Sequence, residues 1–496
     1  MNQQKKLFPK TPTGINGLDE ITEGGFPKGR PILVCGSAGC GKTLMAMQFL
    51  VKGIIDYDEP GVCMSFEETA KDLAQNVRSL GFDLDKLIAD DKLRIDFVRI
   101  EKSEIEETGE YDLEGIFIRL NHAINSIGAK RVVLDTIESL FGGIEDTGLL
   151  RSEIRRLFQW LKEKGVTTII TGERGEGTLT RHGLEEYVSD CVILLDFRVI
   201  DQIATRRLRV IKYRGSMHGS NEYPFLIDEN GISVLPITSL KLDHAVSTEI
   251  ISAGLPSLDK LFNADGFYRG SSVLITGSAG TAKTTLAAYF ALSSCKRKER
   301  VLYFSFEESP DQLLRNMSAI GINLKPYIKS KLLTIHSTRP SLQGLEMHLL
   351  VLHKLIDSLK PKTVIVDPIS SLITIGSNSE VRGMLVRLLD MLKINGINAM
   401  FTALTHQPAH EKIDLTVDAV SSLADTWIKL KNEEENGDCV RNLLIVKSRG
   451  MGHSIKMWNF LITEKGIQIN SKKEILQNEH KAGGFTSAIA KKKRKN

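Results

Sequence analysis

A glycine-rich segment is the first part of this sequence whose residue types and spacing could do chemistry. Gly36, Gly41, Lys42 and Thr43 match the pattern G-x-x-x-x-G-K-[ST] at every fixed position. Glycines let backbone N–H groups surround phosphates, and a following helix N-terminus adds positive potential. The lysine would reach the β- and γ-phosphates, and the threonine would bind Mg²⁺. We therefore predict ATP binding by Gly36, Ser37, Ala38, Gly39, Cys40, Gly41, Lys42 and Thr43.

A second copy of this segment departs from the pattern at one position. Ala282 stands where the second fixed glycine belongs, whereas Lys283 and Thr284 are kept. Alanine is tolerated there if its backbone φ is negative, and it then stiffens the loop. We expect ATP binding here too, with a degenerate site as the alternative. The residues are Gly277, Ser278, Ala279, Gly280, Thr281, Ala282, Lys283 and Thr284.

Carboxylates accompany both glycine-rich segments. Asp135 and Asp367 each end a short apolar run, which is the usual place for a carboxylate that holds Mg²⁺ through water. An aspartate there could otherwise serve a turn or a cap. Adjacent carboxylates can orient water or accept a proton, although they could also cap the next helix. We predict catalytic roles for the pairs Glu67 and Glu68, and Glu307 and Glu308.

The motifs recur because the chain is an internal duplication. Four segments match in the same order at a nearly constant offset: 31–50 with 272–290, 61–69 with 301–309, 131–140 with 363–372, and 208–219 with 443–454. Such agreement indicates two copies of one domain. We predict an N-terminal domain over 1–243, a C-terminal domain over 244–471 and a basic tail over 472–496.

Hydrophobic patterning predicts the elements that position these residues. Candidate strands cover 31–36, 61–66, 92–98, 131–135, 167–172 and 190–195. Residues 112–128 have apolar positions at helical spacing. Continuous apolar strands separated by helices predict an α/β fold with a mainly parallel sheet covered on both faces. The runs 203–214 and 225–235 predict antiparallel strands that close the sheet edge.

Composition excludes several classes of protein. The 496 residues are 42% hydrophobic and 25% charged, which is typical of a globular chain and not of a disordered or membrane protein. No secretory signal or spanning run is present, which predicts a cytoplasmic location. The net charge of +4 reflects the basic end 491–496, so nucleic-acid binding is not expected. The six cysteines lack CxxC spacing, and we expect reduced, mostly buried thiols.

The order of glycine-rich segment, Phe-Glu-Glu, strand-end Asp and Lys-x-Arg-Gly resembles the KaiC family. The resemblance covers roughly residues 11–470, and every motif occurs twice. It implies two tandem RecA-like P-loop domains that use ATP and Mg²⁺. It also implies an ATP-dependent ring, a homohexamer, in which the first domain is mainly an ATPase. The second domain of that family phosphorylates itself on serine or threonine and removes the phosphate, which implies a role in clock-like or stress and signalling regulation.

The resemblance places the phosphate acceptors on Ser421 and Ser422. Their counterparts in the first copy are Glu186 and Tyr187, which form no Ser/Thr pair. We therefore expect attack by water in the first domain and by a hydroxyl in the second. Glu307 would be the general base. The alternative is that the two serines only begin a helix or a turn.

The resemblance also implies residues that reach a neighbouring subunit's nucleotide. The Lys-x-Arg pairs that would do so are Lys212 and Arg214, then Lys447 and Arg449. Arg151 and Arg382 are further candidates for such arginines. The alternatives are a solvated basic strand for the pairs and ion pairs with helix-face glutamates for the single arginines.

The C-terminal end and the sequence motifs also bear on the partners and the functional class of this protein. The end of this chain does not match the looped tail that KaiA binds in the family, so KaiA-like activation is not expected, while a KaiB-like partner stays open. One alternative function is a RecA-like DNA-dependent ATPase, which would need basic or aromatic strand-binding loops. Another is a nucleotide-dependent scaffold with little catalysis, in which Ala282 marks a weakened second site.

Overall fold

The chain folds into two units, and the second repeats the topology of the first. The computed structural model describes residues 8–99, 113–141, 146–175, 177–181, 183, 188–200, 203–236, 247–405, 421–435, 438–463 and 466–470. The units divide between residues 239 and 240. The bounds 1–243, 244–471 and 472–496 stay predictions, and the tail lies outside the described residues.

A nine-stranded sheet forms the centre of the first unit within its described part, in the order β5-β4-β6-β7-β3-β8-β9-β10-β11. The pairs from β5 to β8 are parallel, and those from β8 to β11 are antiparallel. Two short strands, β1 and β2, form a separate pair. The strands are β1 Lys10–Thr11, β2 Phe26–Pro27, β3 Pro31–Gly36, β4 Gly61–Ser65, β5 Leu93–Phe97, β6 Arg131–Asp135, β7 Thr167–Glu173, β8 Cys191–Ile200, β9 Ile203–Tyr213, β10 Glu222–Asp228 and β11 Gly231–Val234.

Helices cover both faces of this sheet. The strand β3 is buried along its whole length, with Ile32 and Val34 in one apolar cluster and Leu33 and Cys35 in another. This arrangement explains why the central strands are continuous apolar runs. The helices are α1 Leu18–Ile21, α2 Lys42–Tyr57, α3 Ala70–Arg78, α4 Leu84–Ala89, α5 Glu114–Ile127, α6 Ile137–Phe141 and α7 Thr147–Lys164.

The second unit has the equivalent strand order, β16-β15-β17-β18-β14-β19-β20-β21-β22, in its described part. Its strands are β12 Ile250–Ile251, β13 Phe267–Tyr268, β14 Ser272–Gly277, β15 Val301–Ser305, β16 Leu333–Ser337, β17 Thr363–Asp367, β18 Asn398–Leu404, β19 Thr426–Glu435, β20 Asp438–Ser448, β21 Trp458–Thr463 and β22 Gly466–Asn470. Its helices are α8 Pro256–Asp259, α9 Lys283–Lys296, α10 Pro310–Ser318, α11 Lys325–Lys329, α12 Leu345–Leu359 and α13 Asn378–Ile394, with 3₁₀ helices Pro340–Leu342 and Ile369–Ile375.

The predicted α/β class, with parallel sheets and antiparallel edge strands, is confirmed. One run differs in detail, because 225–235 contains two strands, β10 and β11, joined by a turn at Glu229 and Asn230. Cys35, Cys40, Cys63, Cys191 and Cys295 are buried, and none of them forms a disulfide with another described residue. Among the described helices, none has the length and apolar character needed to cross a membrane.

Candidate nucleotide sites

The first glycine-rich loop connects β3 to the N-terminus of α2. A Cβ on Gly36 would lie 2.3 Å from the carbonyl oxygen of Leu195, so only glycine fits there. Lys42 is buried, and its ammonium donates to the carbonyls of Gly36 at 3.0 Å and Ser37 at 3.1 Å. Loop residues Gly39, Gly41, Lys42 and Thr43 line a cavity of about 260 Å³ together with Glu68. The loop therefore presents its lysine and its helix terminus at one cavity.

Asp135 ends β6 beside this loop and is 6% exposed. Thr171 and Thr43 donate hydrogen bonds to its carboxylate. Burial raises the pKa of Asp135, while these hydrogen bonds and the Lys42 charge oppose the rise. Carboxylate and hydroxyl oxygens are the ligands that Mg²⁺ prefers. The donor set of Asp135 and Thr43 therefore fits Mg²⁺.

The glutamate pair of the first unit is held by polar side chains from two other elements. Thr136 and Ser139 donate to Glu67 Oε1 at 2.9 Å and 2.7 Å. Asn76 donates to Glu68 Oε2 at 3.0 Å. The next helix, α3, is capped by its own Thr69 side chain. The glutamates are therefore not needed as its cap, and both carboxylates are fixed near the loop.

The second glycine-rich loop keeps the lysine geometry of the first. Lys283 donates to the carbonyls of Gly277 at 2.9 Å and Ser278 at 2.8 Å. Burial lowers the pKa of Lys283, and the charges of Asp367 and Glu307 oppose this. The two carboxylates thus favour the charged form of the lysine in this loop.

The condition under which alanine would be tolerated at position 282, a negative φ, is not met. The residue has φ +72°, in the left-handed region that favours glycine, and its counterpart Gly41 has φ +107°. Both residues immediately precede the lysine that starts the helix, and the chain must turn sharply there. Alanine lacks the freedom of glycine in this region, so it strains the second loop rather than stiffening it.

Asp367 ends β17 at the place where Asp135 ends β6, and it is likewise 6% exposed. Thr402 donates to its Oδ1, as Thr171 does to Asp135. Tyr303 adds a hydrogen bond to Oδ2 at 2.6 Å. Both carboxylate oxygens therefore accept hydrogen bonds within the second unit.

The second glutamate pair has equivalent partners. Ser371 donates to Glu307 Oε1 at 2.9 Å, and Asn316 donates to Glu308 Oε1 at 3.2 Å. Burial raises the pKa of Glu308, the Asn316 hydrogen bond lowers it, and the charges of Asp367 and Glu307 raise it further. A glutamate that holds its proton more readily is a candidate for proton transfer.

The Lys-x-Arg pair of the second unit contacts the two predicted acceptors. Lys447 donates to the carbonyl oxygen of Ser421 at 2.5 Å, and Arg449 donates to that of Ser422. Ser421 is helical, and Ser422 lies in a turn that precedes β19. Asp425 completes the cluster, because Lys393 donates to its carboxylate at 3.0 Å.

The equivalent cluster of the first unit has Asp190 at its centre. Lys162 forms an ion pair with Asp190 at 2.7 Å, and Arg214 lies 3.6 Å from it. Lys212 lies on strand β9, two residues before Arg214. The predicted counterparts Glu186 and Tyr187 lie outside the described residues.

The two single arginines lie on matching helices. Arg151 is exposed on α7, and Arg382 is exposed on α13. Neither forms an ion pair with a residue that the structure describes, so the helix-face glutamate alternative finds no support there. An exposed and unpaired guanidinium fits a role toward another molecule, and that role stays a prediction.

Several contacting residues escaped the motif search. They are the donors to the four glutamates and two aspartates: Asn76, Thr136, Ser139, Thr171, Tyr303, Asn316, Ser371 and Thr402. Most of them are polar in both copies, and that repetition was the available signal. Arg441 donates to the loop carbonyl of Gly280 at 3.2 Å and was also missed.

Fold and site together define a tandem P-loop ATPase. A model of the family described as "ATPase: KaiC" matches residues 11–239 and again 251–474. The chain therefore belongs to the KaiC family, as the motif order predicted, with two tandem RecA-like domains. A circadian clock protein KaiC2 from Synechocystis sp. is 55% identical over 94% of this chain and 82% of its own length. The circadian clock oscillator protein KaiC of Synechococcus elongatus is 37% identical over 94% of this chain and 90% of its own length. That of Parathermosynechococcus lividus is 37% identical over 93% of this chain and 85% of its own length.

Proposed function

We propose that the first domain hydrolyses ATP and that the second transfers phosphate from ATP to Ser421 and Ser422. One observation carries the autokinase proposal. The carbonyl oxygens of both serines accept hydrogen bonds from Lys447 and Arg449, the side chains that the family resemblance assigns to nucleotide contact. The acceptors are thus attached to the strand that would face ATP.

In the second domain, the Ser421 hydroxyl would attack the γ-phosphorus of the ATP that a neighbouring subunit binds. Glu307, Glu308 and Lys283 of that neighbour would act on the reaction. The Ser421 Oγ–P bond forms while the bond from phosphorus to the β–γ bridging oxygen breaks, and ADP leaves. Glu307 accepts the hydroxyl proton, and the Ser371 hydrogen bond fixes its carboxylate. Glu308, whose pKa is raised by burial, supports the same proton transfer. The Lys283 ammonium neutralises charge on the transferred group.

In the first domain, the equivalent groups would act on water. Glu67 orients the water, and Thr136 and Ser139 hold the carboxylate in place. Lys42 neutralises the charge on the products, ADP and phosphate. Bound Mg²⁺ would supply charge neutralisation of the phosphates in both domains, next to Asp135 and Thr43 and next to Asp367 and Thr284.

Labelling with γ-³²P-ATP tests the autokinase. Wild type should incorporate label, and Ser421→Ala/Ser422→Ala should lose it. The control Ser330→Ala/Ser358→Ala removes two exposed hydroxyls whose hydrogen bonds within the described residues go to helix carbonyls, and it should keep full labelling. Absence of label in wild type would favour the scaffold function, and label that survives in the double variant would exclude these acceptors.

Three further proposals follow from the family. The chain assembles with itself into an ATP-dependent ring of six subunits, which light scattering with and without ATP tests. It acts in clock-like or in stress and signalling regulation, and the circadian clock names of its relatives favour the first of these. Its partner would resemble KaiB rather than KaiA. Hydrolysis that single-stranded DNA strongly stimulates would instead indicate a DNA-dependent ATPase.

A further inference from the structure

A second cavity lies at the amino ends of the central strands of the C-terminal domain's sheet, whereas the glycine-rich loop lies at their carboxyl ends. It has a volume of about 570 Å³ and is lined by Arg269, Lys298, Glu299, Arg300, Lys360, Lys362 and Gly396. These residues immediately precede β14, β15, β17 and β18. Ligands of open α/β sheets bind at the carboxyl ends of the strands, so the nucleotide site does not explain this cavity.

The lining of this cavity is strongly cationic. It contains five basic side chains and one carboxylate, that of Glu299. Glu299 is already neutralised, because Arg269 binds it at 2.7 Å and Arg297 at 3.0 Å. Arg269 is itself compensated, because Glu249 also binds it, at 2.6 Å. The remaining cations, Lys298 and Lys360 among them, are exposed and form no ion pair with any described residue. Positive charge therefore accumulates at the cavity without a partner from the described chain.

The first domain shows that the fold does not require this charge. The counterparts of the seven lining residues are Lys28, Asp58, Glu59, Pro60, Gly128, Lys130 and Gly165, which are electrically balanced. In that domain the Asp58 carboxylate pairs with Lys92 at 2.8 Å. The lining positions at the amino ends of the strands are thus neutral in the first domain and cationic in the second.

Two of the lysines also occupy unfavourable backbone conformations. Lys298 has φ +63° and Lys360 has φ +47°, where their counterparts are Asp58 at +54° and Gly128 at +62°. A lysine is strained in this region, whereas glycine is not and aspartate is tolerated better. Residues held in such conformations, against mutual charge repulsion, point to a function for their side chains.

We propose that this cavity binds a short phosphate chain, free or as part of a nucleotide. Its volume is that of a small-molecule site rather than of a groove for a peptide. Arginine matches phosphate with a fork of donors, and lysine adds compact positive charge. Several uncompensated cations around one cavity favour two or three linked phosphates over a single monoanion.

The experiment titrates inorganic tripolyphosphate into the full chain by calorimetry. The background Lys42→Ala/Lys283→Ala weakens phosphate binding at both glycine-rich loops. The test variant adds Lys298→Asp and Lys360→Gly, which are the residues of the first domain at the same left-handed positions and therefore suit the fold. We expect one binding event per chain in the background and an affinity about tenfold lower in the test variant.

A charge-matched control separates a site from general electrostatics. Lys325→Asp/Lys329→Ala makes the same change in net charge at exposed positions of α11, and it should leave the affinity within about twofold. A parallel titration with ADP distinguishes the two sources of phosphate. Absence of tripolyphosphate binding, an equal loss in the control, or tighter binding of a glutamate decapeptide would overturn the proposal.

Discussion

The hydroxyl of Tyr303 donates a hydrogen bond to Oδ2 of Asp367 at 2.6 Å, across the neighbouring strands β15 and β17. Burial and the adjacent Asp367 charge raise the pKa of Tyr303, so the phenol keeps its proton and donates. The counterpart of Tyr303 in the first domain is Cys63, a buried thiol and a weak donor. The proposed metal-binding carboxylates of the two domains therefore differ in their hydrogen bonding.

Tyr303→Phe should destabilise the second domain by about 1–3 kcal/mol, although the ring is kept. The reason is that the variant leaves a buried charged acceptor without its donor. Denaturant unfolding measures this selectively in a Trp160→Phe background, where both remaining tryptophans, Trp427 and Trp458, report on the second domain. Tyr327→Phe is the control and should change little. If Tyr303→Phe changed the unfolding free energy as little as the control does, this hydrogen bond would not stabilise the second domain.

Ala282→Gly should stabilise the second domain by up to about 1 kcal/mol, because it relieves a left-handed alanine at some cost in unfolded-state entropy. The reciprocal Gly41→Ala should destabilise the first domain by more than about 1 kcal/mol. Its φ is +107°, and the new Cβ would lie 3.2 Å from Ile227 Cδ1. Denaturant unfolding of both variants checks the opposite signs. A destabilising Ala282→Gly would mean that the loop strain is not real.

Motif and repeat were enough to predict the sheets and the loops that carry Lys42 and Lys283. The reason is that buried parallel strands need continuous apolar runs and phosphate loops need glycine at set positions. The φ of Ala282 could not be predicted by the same route. A residue type limits backbone conformation without determining it, and here the surrounding loop imposes the glycine conformation on alanine.

The polar contacts of the sites depend on strand order, which the sequence pattern does not contain. Tyr303 reaches Asp367 because β15 and β17 are adjacent, and Thr402 reaches it from β18 on the other side. No local spacing relates these three residues. The hydrogen bonds from Lys447 and Arg449 to the serine carbonyls also needed the structure, because an antiparallel pairing brings β20 to β19.

The pH dependence of stability should reveal Glu308. A raised pKa in the folded state means that ionisation of Glu308 opposes folding. The favourable contribution of the protonated carboxyl to the unfolding free energy is therefore complete below the ordinary glutamate pKa of about 4.3. That contribution is lost as pH rises through the folded-state pKa. The unfolding free energy of Glu308→Gln should therefore increase relative to wild type from acid to neutral pH. Unfolding curves across this range provide the measurement.

Glu249→Gln is the control of opposite sign for this pH series. The Arg269 hydrogen bond lowers the pKa of Glu249, so wild type loses that contribution as pH falls. At neutral pH, Glu249→Gln should therefore have a lower unfolding free energy than wild type, and Glu308→Gln a higher one. Both differences should shrink as the pH falls into the acid range. Two differences that vary in the same direction with pH would contradict the proposed environment of Glu308.

Lys447→Ala/Arg449→Ala should release the segment that carries the proposed acceptors. These side chains hold the carbonyls of Ser421 and Ser422, so their loss should speed amide hydrogen exchange around 421–424 by about tenfold or more, as measured by mass spectrometry. The control Lys212→Ala/Arg214→Ala changes the matching strand of the first domain and should leave this exchange unaltered. Unchanged protection in the Lys447→Ala/Arg449→Ala variant would show that the two side chains do not position the serines. The autokinase would then need another explanation for how Ser421 and Ser422 are held near ATP.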